Sequence, residues 1–295
     1  MPWHLTADLA SFLATARPHL TRDPARCTAL LTIAETLRKH GPYAYGGEAP
    51  ARFGWWQERE GGPVEGVFLQ TPPQAPLLGP MHPDLARELA GELRTAGPPV
   101  SGVKGEDGVC QAFADAWAGQ GRWRVETRLR LFRLGTLAPP HPAPGGAARR
   151  ATRDDVPLAA DWLKAFAADV GDTRGADQTD NAVRRVDDGC LFLWETDGRP
   201  VSLASRSPLI AGQSRVSPVY TPYELRGRGY AGAVTAAVSR DALDAGAEQV
   251  LLFTDLANPT SNALYQRLGY RPLRDYVDLE FHTDADPAAD ADADG

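Results

Sequence analysis

The run RGRGYAG at residues 226–232 sets two arginines and three glycines directly ahead of an alanine-rich stretch with helical spacing. Glycine lets a backbone approach an anion with no Cβ in the way, and the first amides of a helix carry partial positive charge, so such a loop can hold a phosphate. GRGYAG also satisfies the GxGxxG spacing, follows an extended segment and opens a helix, and Asp255 ends the next apolar run. A dinucleotide site is therefore a legitimate rival. Three details count against it. The residues YELR separate the extended segment and Pro222 from Gly227, where a dinucleotide turn is tight. The fingerprint normally opens its domain and needs several further βα units, whereas here one helix and a closing strand remain. It also leaves the sequence beyond Asp255 unexplained.

That sequence, NPTSNALYQRLGY at residues 258–270, is the second place with chemistry in it. Asn258 can cap a helix, Pro259 fits its first turn, and Gly269 can close it in a left-handed conformation. On this helix Asn262 and Tyr265 are three apart and share a face, while Leu264 and Leu268 define another, more buried one.

Alternating elements position these two segments. From residue 154 the pattern gives a helix (DDVPLAADWLKAFAADV), then strands LFLWE, VSLASR and RVSPVYT. Pro218 cannot donate to a ladder, which suits a bulge in the last of them. A long helix follows the glycine run, with Tyr230, Val234, Ala237, Val238, Ala242 and Ala245 at helical spacing. VLLFTD then reads as a buried strand, and RPLRDYVDLEF closes the pattern as an alternating one. The first half repeats this order: FGWWQEREGGPVEGVFLQTPP parallels CLFLWETDGRPVSLASRSP, and helix, strand, helix and strand come after it. Trp55 and Trp56 in this half read as core. Between the halves, LAPPHPAPGGAA has prolines, glycines and no apolar period, and reads as a linker.

The whole chain sets outer bounds. Its 295 residues suffice for two domains of ordinary size, and 43% hydrophobic content with seven Trp argues for packed cores. No apolar run approaches the roughly 20 residues that span a bilayer, and the first residues lack the pattern of a secretory signal, so a cytoplasmic location without membrane contact is expected. A net charge of −7 argues against nucleic acid as a partner. Cys27, Cys110 and Cys190 are scattered, with no CxxC pair and no neighbouring His, so neither a disulfide framework nor a metal site is expected.

With these elements in place, VSPVYTPYELRGRGYAGAVTAAV and LLFTDLANPTSNALYQRLGY together resemble the GNAT superfamily of acyl-CoA-dependent N-acyltransferases. Arg226, Gly229 and Ala231 fit its Q/R-x-x-G-x-G/A pyrophosphate loop, with Gly227 and Arg228 common inside it and Pro222 in a familiar place upstream. Asn258, Asn262, Tyr265, Gly269 and Tyr270 fit its second motif. The resemblance implies an α/β fold, a mixed sheet flanked by helices, in two tandem copies. A degenerate copy covers residues 1–136, a linker 137–148, the acyl-CoA-binding copy 149–282, and an acidic disordered tail 283–295.

The same resemblance implies the site. The fourth strand of the second copy would splay from the fifth, with Val219, Tyr220 and Thr221 along the pantetheine arm of acetyl-CoA. The amides of Arg226, Gly227, Arg228, Gly229, Tyr230, Ala231 and Gly232 would wrap the pyrophosphate, joined by Asn258 and Asn262. An amide near Val219 or Tyr220 would polarise the carbonyl. Tyr265, a phenol at the rim of the wedge, would protonate the departing thiolate. The acceptor would be an amine on a small molecule or a peptide, covered by the acidic segment 171–189 with Asp172, Asp177, Asp180, Asp187 and Asp188; no general base is legible. Two other classes stay open: an acyl-CoA-binding sensor without transfer activity, and an NAD(P)-dependent oxidoreductase.

Overall fold

A computed structural model describes residues 3–45, 48–171 and 177–282. The expected tail, 283–295, and Asp172 fall outside the described residues. Contacts divide the chain into two units, one formed by residues 1–130 with 274–295 and the other by residues 131–273.

The first unit runs β1 (Trp3–Thr6), α1 (Leu9–Arg22), α2 (Thr28–His40), β2 (Arg52–Gln57), β3 (Val64–Gln70), β4 (Leu77–Leu78), α3 (Pro83–Ala96), β5 (Gly102–Glu106), α4 (Asp107–Ala118) and β6 (Trp123–Leu134), whose residues 131–134 belong to the second unit. Strands β1 to β4 pair antiparallel in order, and β4 meets β5 parallel at Leu77 and Lys104. The second unit runs β7 (Ala147–Arg150), α5 (Val156–Asp169), α6 (Thr179–Asp187), β8 (Leu191–Thr196), β9 (Arg199–Arg206), β10 (Gln213–Tyr220), α7 (Tyr230–Asp244), β11 (Gln249–Asp255), α8 (Pro259–Arg267) and β12 (Tyr270–Phe281). Each half of the chain thus spells βααβββαβαβ. The far end of β12 belongs to the first unit, where Tyr276 to Glu280 pair antiparallel with Glu106 to Gly102.

Strand alternation builds the second unit's two cores. Leu191 and Leu193 pack with Val156, Ala159 and Leu163 on the α5–α6 face, while Phe192 and Trp194 pack with Val234, Val238 and Leu252 on the α7 face. Helix α7 buries Val234, Val238 and Ala242; Ala245, one step beyond the last helical residue, is exposed rather than part of that stripe. In the first unit Leu85, Leu89 and Leu93 of α3 and Phe113 of α4 close over Phe68, Val103 and Val277. Trp55 and Trp56, neighbours on β2 and so on opposite faces of it, are half-buried rather than fully buried core: Trp55 stacks on His4, while Trp56 packs at the edge of the first unit's core and donates to Glu88. All three cysteines are buried.

Candidate acyl-CoA site

The site grows from the place where two parallel strands part. Strands β10 and β11 pair from Gln213 with Gln249 to Val216 with Leu252, and no further. Beyond that point β10 pairs only with β9, through Val219 with Ala204 and Tyr220 with Leu203, after a register shift between Val216 and Val219. Pro218 sits in the shift, as a residue with no amide to donate should. Arg185 of α6 fastens the bulge from outside, donating from Nη1 to the Ser217 carbonyl at 2.8 Å and to Ser205 Oγ at 2.9 Å. Segment 171–189 is therefore not a plain polar loop: its second half is helix α6, held to the strand it covers.

Thr221 follows the strand with its hydroxyl 2.8 Å from Ser202 Oγ, buried and spent on structure. A short 3-10 turn at Tyr223–Leu225 then leads into the glycine loop. Gly227 and Gly229 take φ of +77° and +85°, a region that side-chain-bearing residues seldom enter, and Gly229 is the N-cap of α7. The result is a row of open donors. Among the described residues, the amides of residues 227–232 donate to no protein acceptor; the first intrahelical bond runs from Ala233 to the Gly229 carbonyl at 3.1 Å. The linker lines one side of this row. Pro144 stands 3.7 Å from the position a Gly229 Cβ would take, and Pro140 stands 3.4 Å from that of Gly232. Trp194 holds the linker by donating to the Gly145 carbonyl, and Ala138 by donating to the Leu268 carbonyl, both at 3.0 Å.

Arg226 is turned to protein partners. Its Nε donates to the Thr221 carbonyl at 2.9 Å, its Nη2 pairs with Asp169 at the end of α5, and its guanidinium lies over the rings of Tyr220 and Tyr223. Arg228 is exposed and reaches only the Glu224 carbonyl, at 3.3 Å.

On the other side of the wedge, Asn258 caps α8 by accepting from Ser261 at 3.0 Å. Asn262 donates to the carbonyls of Asp255 and Asn258, both at 2.7 Å, which locks α8 onto the end of β11. Its Oδ1 is buried with no donor. Tyr265 lies deeper than its expected place at the rim. It is 8% exposed and packs edge-to-face on Tyr270, while Leu264, expected on the buried face, is only half-buried and leans on the first turn of α7. The short helix turns straight into β12 at Gly269, and that turn carries Tyr265 inward. Gly269, with φ of +98°, has the Thr136 carbonyl 1.9 Å from where a Cβ would stand, so no other residue fits there. Burial pushes the Tyr265 phenol up to about 12. Among the described residues no group hydrogen-bonds its hydroxyl.

Asp255 spends its carboxylate on the Ala257 amide at 2.8 Å, and Glu224 lies exposed in the turn before the loop. Among the described residues there is no cluster of three or more His, Cys, Asp or Glu side chains able to hold a metal ion. Nor is any helix there long and apolar enough to cross a membrane.

The fold as a whole recurs in known structures. The fold is that of the GNAT superfamily, in its tandem form. An acetyltransferase from the GNAT family of Colwellia psychrerythraea superposes with a TM-score of 0.61 over 95% of this chain and all of its own, at 12% identity. A Drosophila protein reaches a TM-score of 0.66 over 95% and 98% of the two chains, at 14% identity. A tandem GNAT protein from the clavulanic acid biosynthesis pathway gives 0.55 over 96% and 100%, also at 14% identity. Residues 209–278, which hold both motifs, match the FR47-like protein family. Among curated proteins no sequence matches.

Sequence reasoning missed Asp169, Arg185 and the packing of the linker's prolines. Each acts across the fold from a distant element, and no local spacing signals it.

Proposed function

We propose that the chain is an acyl-CoA-dependent N-acyltransferase with one active site, in the second unit. The observation that carries the reading is the row of unpartnered amides at residues 227–232 beside a splayed parallel strand pair. Free helix-terminal donors and a positive helix end suit a pyrophosphate, and Gly227 and Gly229 keep its approach clear. The buried, donorless Oδ1 of Asn262 supplies an acceptor on the α8 side of the wedge, suited to an amide or hydroxyl of the cofactor's arm. Asn258 acts through the helix it caps. Val219 and Tyr220, on the strand beyond the bulge, present the edge along which an extended pantetheine lies.

The reaction is direct attack of a neutral amine on the thioester of acetyl-CoA. The nitrogen–carbon bond forms, the carbon–sulfur bond breaks, and the amine's proton passes to solvent. Tyr265 gives its proton to the sulfur and recovers one from water. A phenol held near 12 is protonated throughout the physiological range, so it is always armed as an acid and never serves as the base. Acceptor choice is assigned to α6, whose Arg185 holds the bulge, and to the end of α5, whose Asp169 holds Arg226.

Incubation of the chain with acetyl-CoA and a panel of small and peptidyl amines, read by free thiol and by the mass of the products, tests this. An acetylated amine and stoichiometric thiol are expected. Binding of acetyl-CoA with no thiol released from any amine would reduce the chain to an acyl-CoA-binding module. Binding of NAD(P)H and none of acetyl-CoA would restore the dinucleotide reading.

A further inference from the structure

Arg226 and Asp169 present a conflict within the proposed site. Arg226 opens the loop whose amides face outward, yet its guanidinium is drawn to a carboxylate on another helix. The pair is half-exposed on both sides, at 46% and 48%, so it is a bond that solvent and ions can weaken. Two features keep the guanidinium near the loop whichever anion it serves. Its Nε is held by the Thr221 carbonyl, and its plane is flanked by the rings of Tyr220 and Tyr223 at 5.9 Å and 5.7 Å. Those contacts use the Nε–H and the faces. The terminal nitrogens are left to choose between anions, and one of them is paired with Asp169. Asp169 is also the last residue of α5, where the segment toward α6 departs.

We propose that Asp169 is a positioning residue that competes with the cofactor's phosphates for Arg226 and so sets the affinity for acyl-CoA. The inference rests on the acyl-CoA reading above. When a pyrophosphate enters the row of amides, the terminal nitrogens of Arg226 exchange a carboxylate oxygen for a phosphate oxygen, with no covalent change and no proton moved. The exchange releases the end of α5 from the loop. Cofactor binding is thereby coupled to the element that borders the acceptor side, and part of the loop's affinity is withheld by a residue that touches no substrate.

A double-mutant cycle measures this directly, because it separates an effect passing through Arg226 from one of charge alone. Calorimetric titrations of the full chain, Asp169→Asn, Arg226→Gln and the double variant are run with acetyl-CoA and, separately, with inorganic pyrophosphate. Thermal melts verify that all four are folded, as expected for substitutions at an exposed pair. Asp169→Asn should bind both probes about three- to fivefold more tightly, the scale of an exposed charge pair. Arg226→Gln should bind them more weakly, and the double variant should match Arg226→Gln. Equal tightening by Asp169→Asn in the presence and absence of Arg226 would show a simple through-space repulsion and overturn the proposal. So would unchanged or weaker binding by Asp169→Asn. Failure of the unaltered chain to bind either probe would instead remove the acyl-CoA reading on which the proposal stands.

Discussion

The same loop was put to two different ends in the two units. In each, the segment after the fourth strand enters the N-terminus of the following helix and is tied to the last turn of the unit's first helix. In the first unit the tie is His19 of α1, whose ring nitrogens lie 2.9 Å from the Val64 carbonyl and 3.0 Å from that of Pro80 in the loop. In the second it is Asp169 of α5 on Arg226. The helix ends then diverge. His82 caps α3 by accepting from the Asp84 amide, Pro83 has no amide to offer, and the Asp84 carboxylate already supplies negative charge at the positive end of the helix. At α7 no side chain caps the helix and the first turn holds no acid. A stable helix entry was available within this fold, and the second unit does without it. The glycine loop is thus not the only helix entry that this arrangement of elements accepts. A second contrast runs through the helix after the fifth strand. Counted from each cap, Phe113 and Cys110 of α4 stand where Tyr265 and Asn262 stand in α8. The first unit has buried side chains at both places and neither polar group.

Four experiments would break or sharpen this contrast. The largest effect is expected at Tyr265: Tyr265→Phe should lower turnover about a hundredfold while acetyl-CoA affinity changes less than about twofold, since general acid catalysis acts at the bond-breaking step. Phe113→Tyr should leave turnover unaltered. Pre-steady-state thiol release separates the two, and a Tyr265→Phe enzyme at full rate would dissolve the distinction between the units.

Gly229→Val comes next. A β-branched residue at φ of +85° is strained, so acetyl-CoA affinity should fall about tenfold or more by titration, with a loss of about 1–2 kcal/mol in stability. His82→Ala, its counterpart, should cost about 1 kcal/mol in denaturant unfolding as a lost cap and leave acetyl-CoA affinity as it was. Weaker acetyl-CoA binding by His82→Ala would show that the first unit shares in the cofactor site.

The third turns on pH. The Tyr265 phenol is raised in the fold to about 12, and the acid must be protonated to act. Turnover should therefore show no alkaline decline from this residue below about pH 11, where an ordinary phenol would already be half ionised by about pH 10. Above pH 10 the unfolded chain gives up a proton that the fold retains, so stability should fall as pH rises toward the folded value. Tyr265→Phe should remove its share of that fall.

The smallest effect is expected at the first unit's tie. Burial lowers the His19 pKa, opposed in part by the two carbonyls. A depressed folded value means that the stability contributed by neutral His19 is present above its unfolded pKa and lost as pH falls through the folded one. Acid unfolding of His19→Gln should begin at lower pH than that of the unaltered chain, with acetyl-CoA affinity at neutral pH unchanged.

Much of this contrast is legible in residues alone. RGRGYAG, the Asn258 cap, Pro259 and Gly269 announce themselves because turn and cap chemistry is local: φ, a missing amide and a side-chain oxygen three residues away need no partner from elsewhere. The alternation of LFLWE is legible for the same reason. Helices α1 and α2 are harder to see. Pro18 stands inside α1, and its buried positions, Phe12, Ala16 and Leu20, make a sparse stripe. The end of β12 is harder still, since an alternating strand carries no mark of which strand it will pair with, and residues 274–281 close the first unit.

By itself the sequence determined most of the order of elements from β2 and from β8 onward, the glycine loop in one half and its absence from the other, because those follow from backbone preferences read over a few residues. Only the tertiary structure decided that Tyr265 is buried, that Arg226 answers to Asp169, that Arg185 grips the bulge and that the linker's prolines border the loop. Burial, and pairing between residues 32 and 57 apart in the chain, depend on which surfaces meet. Nothing in a residue's neighbours along the chain specifies that.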